Sequence, residues 1–185
     1  MRASSLRLTL AAAALVGIAV QATAQDRLAP FVPTPADVVE RMLVLARVGP
    51  DDVIYDLGCG DGRIVIAAAR RFGARGVGID IDPVLIGRAT ANAQTAGVDD
   101  RVTFRVQDAL TVDVSEATVV SLYLLSASNV RLRPLLTAQL RPGARIVSHN
   151  FSMGSWEPDQ VDSFTDESGR VRTLYLWSAD GQTRP

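Results

Sequence analysis

Four carboxylates and a cluster of glycines hold the positions of this 185-residue chain where chemistry is most expected. Asp56-Leu57-Gly58-Cys59-Gly60-Asp61-Gly62 breaks an apolar run, Asp80 stands 22 residues after Gly58, and Gln107-Asp108 follows a third apolar segment. Glycines in such a loop let the backbone turn tightly and come close to a ligand. A dinucleotide fingerprint needs G-x-G-x-x-G. Here the third glycine is replaced by Arg63, and Gly62 comes one position early. Asp56 and Asp61 would also repel a pyrophosphate, which wants a positive helix end without competing acids. An acid-flanked glycine loop suits a ligand with a cationic part. A carboxylate at Asp80 can accept both hydroxyls of a ribose, and one at Asp108 can accept from an adenine exocyclic amine. The plain alternatives are a tight strand-to-helix turn for the glycines, a solvated turn acid at Asp80 and a helix N-cap at Asp108. Taken together, the residues describe a site for an adenosine with a positively charged, amino-acid-like tail.

The surrounding pattern supplies elements that can present these groups at one edge. Thr34-Pro35-Ala36-Asp37 predicts a helix start with Thr34 as the cap, and Val38, Val39, Met42, Leu43 and Leu45 give its apolar face. Val53 to Leu57 reads as a buried strand, Arg63 to Phe72 as a helix ended by Gly73, and Gly76 to Ile79 as a second strand. A helix over Pro83–Ala96, a strand over Val102–Val106 and a continuous apolar strand over Thr118–Leu124 follow. Val130 to Leu140 is helical with Pro134 as a start or kink, and Ala144 to Ser148 is a fifth strand. Val161 to Phe164 and Val171 to Trp177 form a terminal hairpin. Strands alternating with helices imply an α/β, Rossmann-like, doubly wound and mostly parallel sheet, closed by an antiparallel C-terminal hairpin. Ligands in such sheets bind at the carboxyl ends of the strands, beside the first one.

Composition narrows the classes. Hydrophobic residues make up 48%, which supports a packed core and excludes disorder. A formal charge of −1 argues against nucleic acid as a partner. The single cysteine, Cys59, and single histidine, His149, exclude a disulfide framework and multi-Cys or His-rich metal sites, so no metal is expected. All 19 basic residues are arginine, which excludes Schiff-base chemistry and a phosphate-binding lysine. Residues 1–24 carry Arg2 and Arg7, an apolar run from Leu8 to Val20, and Ala22-Thr23-Ala24. That order predicts a signal peptide cut after Ala24, leaving one domain over 25–185 and an exported protein, periplasmic or secreted. The alternative is an uncleaved N-terminal membrane anchor; the apolar run is short for a comfortable span.

The stretch V-I-Y-D-L-G-C-G-D-G-R-I-V resembles the first motif of class I S-adenosylmethionine-dependent methyltransferases. G-V-G-I-D-I-D is similar to their second-strand motif, and V-Q-D-A to the motif after the third strand. The resemblance implies a seven-stranded sheet with its last strand antiparallel, and S-adenosyl-L-methionine as cofactor. It places Asp56, Gly58 and Gly60 near the methionine part, Asp80 on the ribose and Asp108 on the adenine, with Thr34, Cys59, Ile81 and Gln107 as neighbouring contacts. A narrower resemblance rests on Pro30-Phe31-Val32-Pro33-Thr34, the D-L-G-C-G-D-G-R-I-V run, and R-I-V-S-H-N-F with Trp156 behind it. These are similar to the small lysine methyltransferases that include the one modifying the ATP synthase c subunit. In that family the segment matching Pro30 to Thr34 helps form the cofactor pocket. The resemblance implies a protein substrate, with a lysine of a membrane protein as one candidate; the chain is expected to act as a monomer. Where bacterial relatives carry proline, this chain has Ser126.

Methyl transfer from a sulfonium is an in-line displacement, so the protein mainly aligns donor with acceptor and excludes water. A lysine acceptor must lose its proton before attack, and a nearby hydroxyl, carbonyl or acid can assist. Tyr123, Ser126 and Asn129 follow the fourth strand, where an acceptor should meet the cofactor; Tyr123 is a catalytic candidate, the other two substrate contacts. Tyr123 has a plain alternative as a core aromatic. His149 ends the fifth strand at the same edge, either as a base, since histidine titrates near neutrality, or as a structural residue bonded to backbone. Cys59 reads as a small filler between glycines, and Trp156 and Trp177 as packing residues. A non-catalytic nucleoside-binding module, a methyltransferase acting on small molecules and a nicotinamide-dependent oxidoreductase remain alternative readings. The glycine spacing speaks against the last.

Overall fold

The computed structural model describes residues 28–185. The expected signal or anchor segment, residues 1–24, lies outside the described residues. Eleven regular elements follow in alternation: α1 (Ala36–Leu45), β1 (Val53–Leu57), α2 (Arg63–Phe72), β2 (Arg75–Asp80), α3 (Pro83–Ala96), β3 (Val102–Val106), β4 (Val119–Leu122), α4 (Ser126–Gln139), β5 (Arg145–His149), β6 (Gln160–Thr165) and β7 (Val171–Ser178). The strands form one seven-stranded sheet in the order β3-β2-β1-β4-β5-β7-β6. All neighbours in the β3-to-β5 run are parallel, and β7 runs antiparallel to both β5 and β6.

The apolar runs explain the layering. β1 and β4 are buried on both faces, which is why they read as unbroken hydrophobic stretches rather than alternating ones. On one face Val38, Met42 and Leu43 of α1 and Ile64, Val65 and Ala68 of α2 pack against Ile54, Val119, Val147 and Leu174. On the other, Leu132 and Leu136 of α4 meet Leu57, Leu122, Ile146 and Trp177. Gly76 and Gly78 let helices and side chains lie directly on β2: an added Cβ at Gly76 would stand 2.9 Å from Val65, and at Gly78 2.5 Å from Phe104. The strand order reverses between β1 and β4, which opens a crevice at their carboxyl ends. Among the described residues no helix is long and apolar enough to cross a membrane.

Three local expectations are corrected. Thr34 does not cap α1; Pro35 holds that position without a side-chain bond, and the Thr34 carbonyl instead accepts from Arg63 Nη1 at 2.8 Å. β4 is shorter than expected, because Thr118 turns its hydroxyl to Asp52 and takes the Val53 N–H. The helix expected from Val130 begins a turn earlier at Ser126. The extended Leu125 offers its carbonyl to the Ser128 and Asn129 amides, so the helix starts at once. Pro134 sits inside it, removing one backbone donor without ending the helix. The terminal hairpin and its antiparallel pairing are as expected.

Candidate active site

A cleft at the carboxyl edge of β1, β2 and β4 encloses about 870 Å³, counting its open mouth. It is lined by Asp56, Gly58, Cys59, Gly60, Asp80, Ile81, Gln107 and Asp108, by Thr34 of the leading segment, and by Tyr123. The structure thus gathers every sequence-predicted cofactor residue around one space, with Tyr123 beside them. Ser126, Asn129 and His149 do not line it.

The glycine loop is sewn to β2: the Gly58 and Cys59 amides both donate to the Ile79 carbonyl, at 2.8 and 2.9 Å. Gly58 and Gly60 lie at φ 82° and 54°, where residues with a Cβ are disfavoured. A Cβ would also collide, at 2.8 Å from Leu124 Cδ2 for Gly58 and at 2.5 Å from Phe31 Cε2 for Gly60. At these two glycines the loop therefore presents backbone, not side chain, to the cleft. Cys59 is buried, with burial first pushing its thiol well above the usual range, so it fills space against Gly78 rather than reacting.

Each acid has a distinct environment. Asp80 ties the cradle together, Oδ2 accepting from the Gly60 amide at 2.9 Å and Oδ1 from the Asp82 amide at 3.0 Å. Each carboxylate oxygen has more than one lone pair, so ribose hydroxyls can be accepted as well. Asp108 Oδ1 accepts from the Leu110 amide at 2.9 Å, so this acid is a cap and a cleft residue at once. Asp56 is buried and accepts from Ser121 Oγ at 2.7 Å. Burial pushes its pKa up to about 7, Ser121 works against that, and the charges of Asp80 and Asp61 add to it. A buried carboxylate with little to balance it is a receptor for a cation.

Arg63 and Ser121 were not assigned roles from sequence, nor was the way the leading segment is held. Arg63 grips Asp61 with two bonds, at 2.9 and 2.6 Å, and holds the Thr34 carbonyl with its remaining nitrogen. That grip holds the Asp61 carboxyl below its ordinary range. Ser128 Oγ donates to the Leu28 carbonyl at the other end of the same segment. Residues 28–34 are thus strapped over the glycine loop, with the Phe31 ring on Gly60. The signal was present in the arginine directly after the loop, but its partner lies 29 residues away.

At the acceptor side, Tyr123 is half-buried and its ring stacks on His149, with centroids 4.0 Å apart. His149 is fully buried, and neither ring nitrogen has a hydrogen-bond partner among the described residues. The backbone bond of the structural alternative is therefore not made among the described residues. Burial, with Arg172 adding and Asp166 opposing, pulls its pKa down to about 4. The imidazole is thus a weak base that stays unprotonated near neutrality, and it does not open on the cleft. Asn129 is fully buried and turned inward, donating to the Phe151 carbonyl at 3.0 Å and tying α4 to the segment after β5. Ser126 is exposed at the start of α4. Trp177 is fully buried and donates to the Trp156 carbonyl at 2.9 Å, the packing role expected of both.

A seven-stranded sheet with this topology and a glycine loop and carboxylates gathered around one cleft, together with the matches that follow, define an S-adenosylmethionine-dependent methyltransferase. The profile of the ANTKMT methyltransferase domain matches residues 56–160, and the chain belongs to that family. It is 45% identical over 149 residues to a protein-lysine N-methyltransferase of Saccharolobus islandicus, covering 80% of this chain and 92% of that one. It is 36% identical over 132 residues to the adenine nucleotide translocase lysine N-methyltransferase of Mus musculus, covering 71% of this chain and 57% of the mouse protein. Among solved structures, an RNA methyltransferase from Salinibacter ruber in complex with S-adenosyl-L-homocysteine superposes with TM-score 0.77 and 55% identity, over 83% of this chain and 97% of that one. A SAM-dependent methyltransferase from Geobacter sulfurreducens in complex with S-adenosyl-L-homocysteine superposes with TM-score 0.56 and 26% identity, over 79% of this chain and 55% of that one.

Proposed function

We propose that this methyltransferase acts on the side-chain amine of lysine in a partner protein. The observation that carries the reading is the placement of Tyr123. It is the cleft residue that continues from the cationic-tail end of the cradle, at Asp56, toward the edge of β4. The 45% identical protein-lysine N-methyltransferase supports the same acceptor class. When bound, S-adenosyl-L-methionine supplies an electrophilic methyl group. The chain's own residues hold its ends and exclude water: Asp80 and Asp108 at the nucleoside, Asp56 at the ammonium, and the 28–34 strap above. A lysine acceptor would have to reach the site without its proton, so that its nitrogen lone pair is free to face the methyl donor. Tyr123 can orient that amine through its hydroxyl.

The Salinibacter relative favours RNA as a second reading. The formal charge of −1 favours protein, because phosphate backbones demand a basic surface. We further propose that one copy of the chain suffices. Residues 1–24 serve as an export signal or, if retained, as a membrane anchor that makes a membrane-protein lysine the acceptor. A native N-terminus at Gln25 supports export, and one at the initiating methionine supports the anchor. Acceptor class is tested with tritiated S-adenosylmethionine and a cell extract from the source organism. Label that resists ribonuclease, yields to protease and maps by mass spectrometry to lysine is the expected result. Ribonuclease-sensitive label overturns the proposal.

A further inference from the structure

The cofactor cradle leaves one buried polar group without a role, the imidazole of His149. It is the chain's single histidine, fully buried, and among the described residues neither nitrogen has a hydrogen-bond partner. Its position follows from strand register. Leu122 of β4 pairs with Ser148 of β5, so the next residues, Tyr123 and His149, lie side by side across the sheet. Their rings stack at 4.0 Å and 28°. Phe151 closes the other flank of Tyr123, with ring centroids 6.2 Å apart. Tyr123 faces the cleft and His149 does not.

A general base needs a nitrogen within reach of the proton it takes, and no His149 nitrogen opens on the cleft. What the ring does offer is a flat face against the one aromatic that lines the acceptor side. Stacking of this kind fixes ring orientation, and small misplacements at a reacting centre are costly to rate. We propose that His149 is a positioning residue that works by its ring and not by its proton: stacked on Tyr123 between β4 and β5, it holds the phenol in the orientation that presents the acceptor to the methyl donor. The inference rests on the reading that the acceptor meets the donor beside Tyr123. The low pKa of His149, about 4, agrees with a ring that stays neutral.

The test compares His149→Phe with His149→Ala in the full chain. The acceptor probe is a desalted total-protein extract at saturating S-adenosylmethionine, and the companion measurement is tyrosine-ring NMR. Only three tyrosines are present, so the Tyr123 signals can be assigned by substitution. His149→Ala is expected to lower the maximal transfer rate about tenfold or more, to leave S-adenosylhomocysteine affinity within about twofold, and to shift and broaden the Tyr123 ring signals. His149→Phe restores most of the rate and an ordered Tyr123 ring, and melts higher than wild type because it removes two unpartnered buried nitrogens. A His149→Phe enzyme as slow as His149→Ala while its Tyr123 ring is ordered overturns the inference. So does an imidazole signal that titrates near neutrality in step with the rate. If wild type transfers no methyl group to protein, the proposed acceptor class fails instead, and the Tyr123 spectra of the two variants decide the stack on their own.

Discussion

The two halves of the cleft are built from different materials. On the β1–β3 side the ligand faces backbone: the glycine loop, amides sewn to Ile79, and carboxylates fixed by neighbouring amides. On the β4–β5 side it faces Tyr123, whose ring is backed by His149 and flanked by Phe151, in a segment tied down by Asn129 and Ser148 to the Phe151 carbonyl. The first half recognises charge and hydroxyls, which requires few groups at fixed positions. The second, which by the proposed function accepts a protein side chain, is shaped by packing between elements distant in sequence. The consequence is a division of labour: damage to the first half should appear as lost cofactor affinity, and damage to the second as lost turnover.

The largest expected effect is on the cofactor half. Asp80→Ala removes the carboxylate proposed to hold the ribose and also frees the Gly60 and Asp82 amides. Charged hydrogen bonds are worth on the order of 1.5–3 kcal/mol, so cofactor affinity should fall by roughly 10- to 150-fold, measured by calorimetry. Gly60→Ala comes next. Its Cβ strikes Phe31 at a positive φ, so the strap must lift, with an expected loss on the order of 1–2 kcal/mol in stability and a parallel loss of affinity. Thermal melting with and without S-adenosylhomocysteine separates the two.

Asp56→Asn sharpens the comparison because stability and binding should move in opposite directions. The folded pKa of Asp56, about 7, lies above its ordinary value of 3.8. The native state therefore binds the proton more tightly than the unfolded state. Its contribution is favourable at low pH and is lost as pH rises from about 4 towards 7. At pH 8 the neutral amide should melt several degrees higher than wild type, by an amount on the order of 5 °C, while cofactor affinity falls about tenfold. Wild-type affinity for the cationic cofactor should in turn rise with pH up to about 7 and then level off, as Asp56 ionises. The smallest effect on affinity belongs to the acceptor half. Tyr123→Phe keeps the stack and loses only the hydroxyl, so binding of S-adenosylhomocysteine should stay within about twofold while turnover drops about tenfold.

The same contrast explains what could be read before the fold was known. The cofactor half was legible because its chemistry is local. Glycines within five residues, an acid at the end of each strand and alternating elements suffice to place Asp56, Asp80 and Asp108 around one cleft. The mostly parallel sheet followed from the same alternation, and the antiparallel hairpin from the two strands around its turn residues. The acceptor half was legible only as a list of residue types. That Asn129 turns inward depends on α4 starting at Ser126, which the extended Leu125 decides and Pro134 disguised. That His149 has neutral, unpartnered nitrogens depends on burial and on Arg172 from another strand. The Arg63 grip on Thr34 spans 29 residues and turns an expected helix cap into a fastening of the strap. None of these contacts leaves a period or a motif in sequence.

The central claim is that cofactor capture and acceptor presentation are separable functions of the two sides of one cleft. The most direct measurement is a calorimetric titration of S-adenosylhomocysteine into the full chain carrying either Asp80→Ala or Tyr123→Ala. The account predicts a loss of about tenfold or more for the first and no more than about threefold for the second, both proteins remaining folded. Equal losses from the two substitutions, or an Asp80→Ala protein that binds as wild type does, would contradict it.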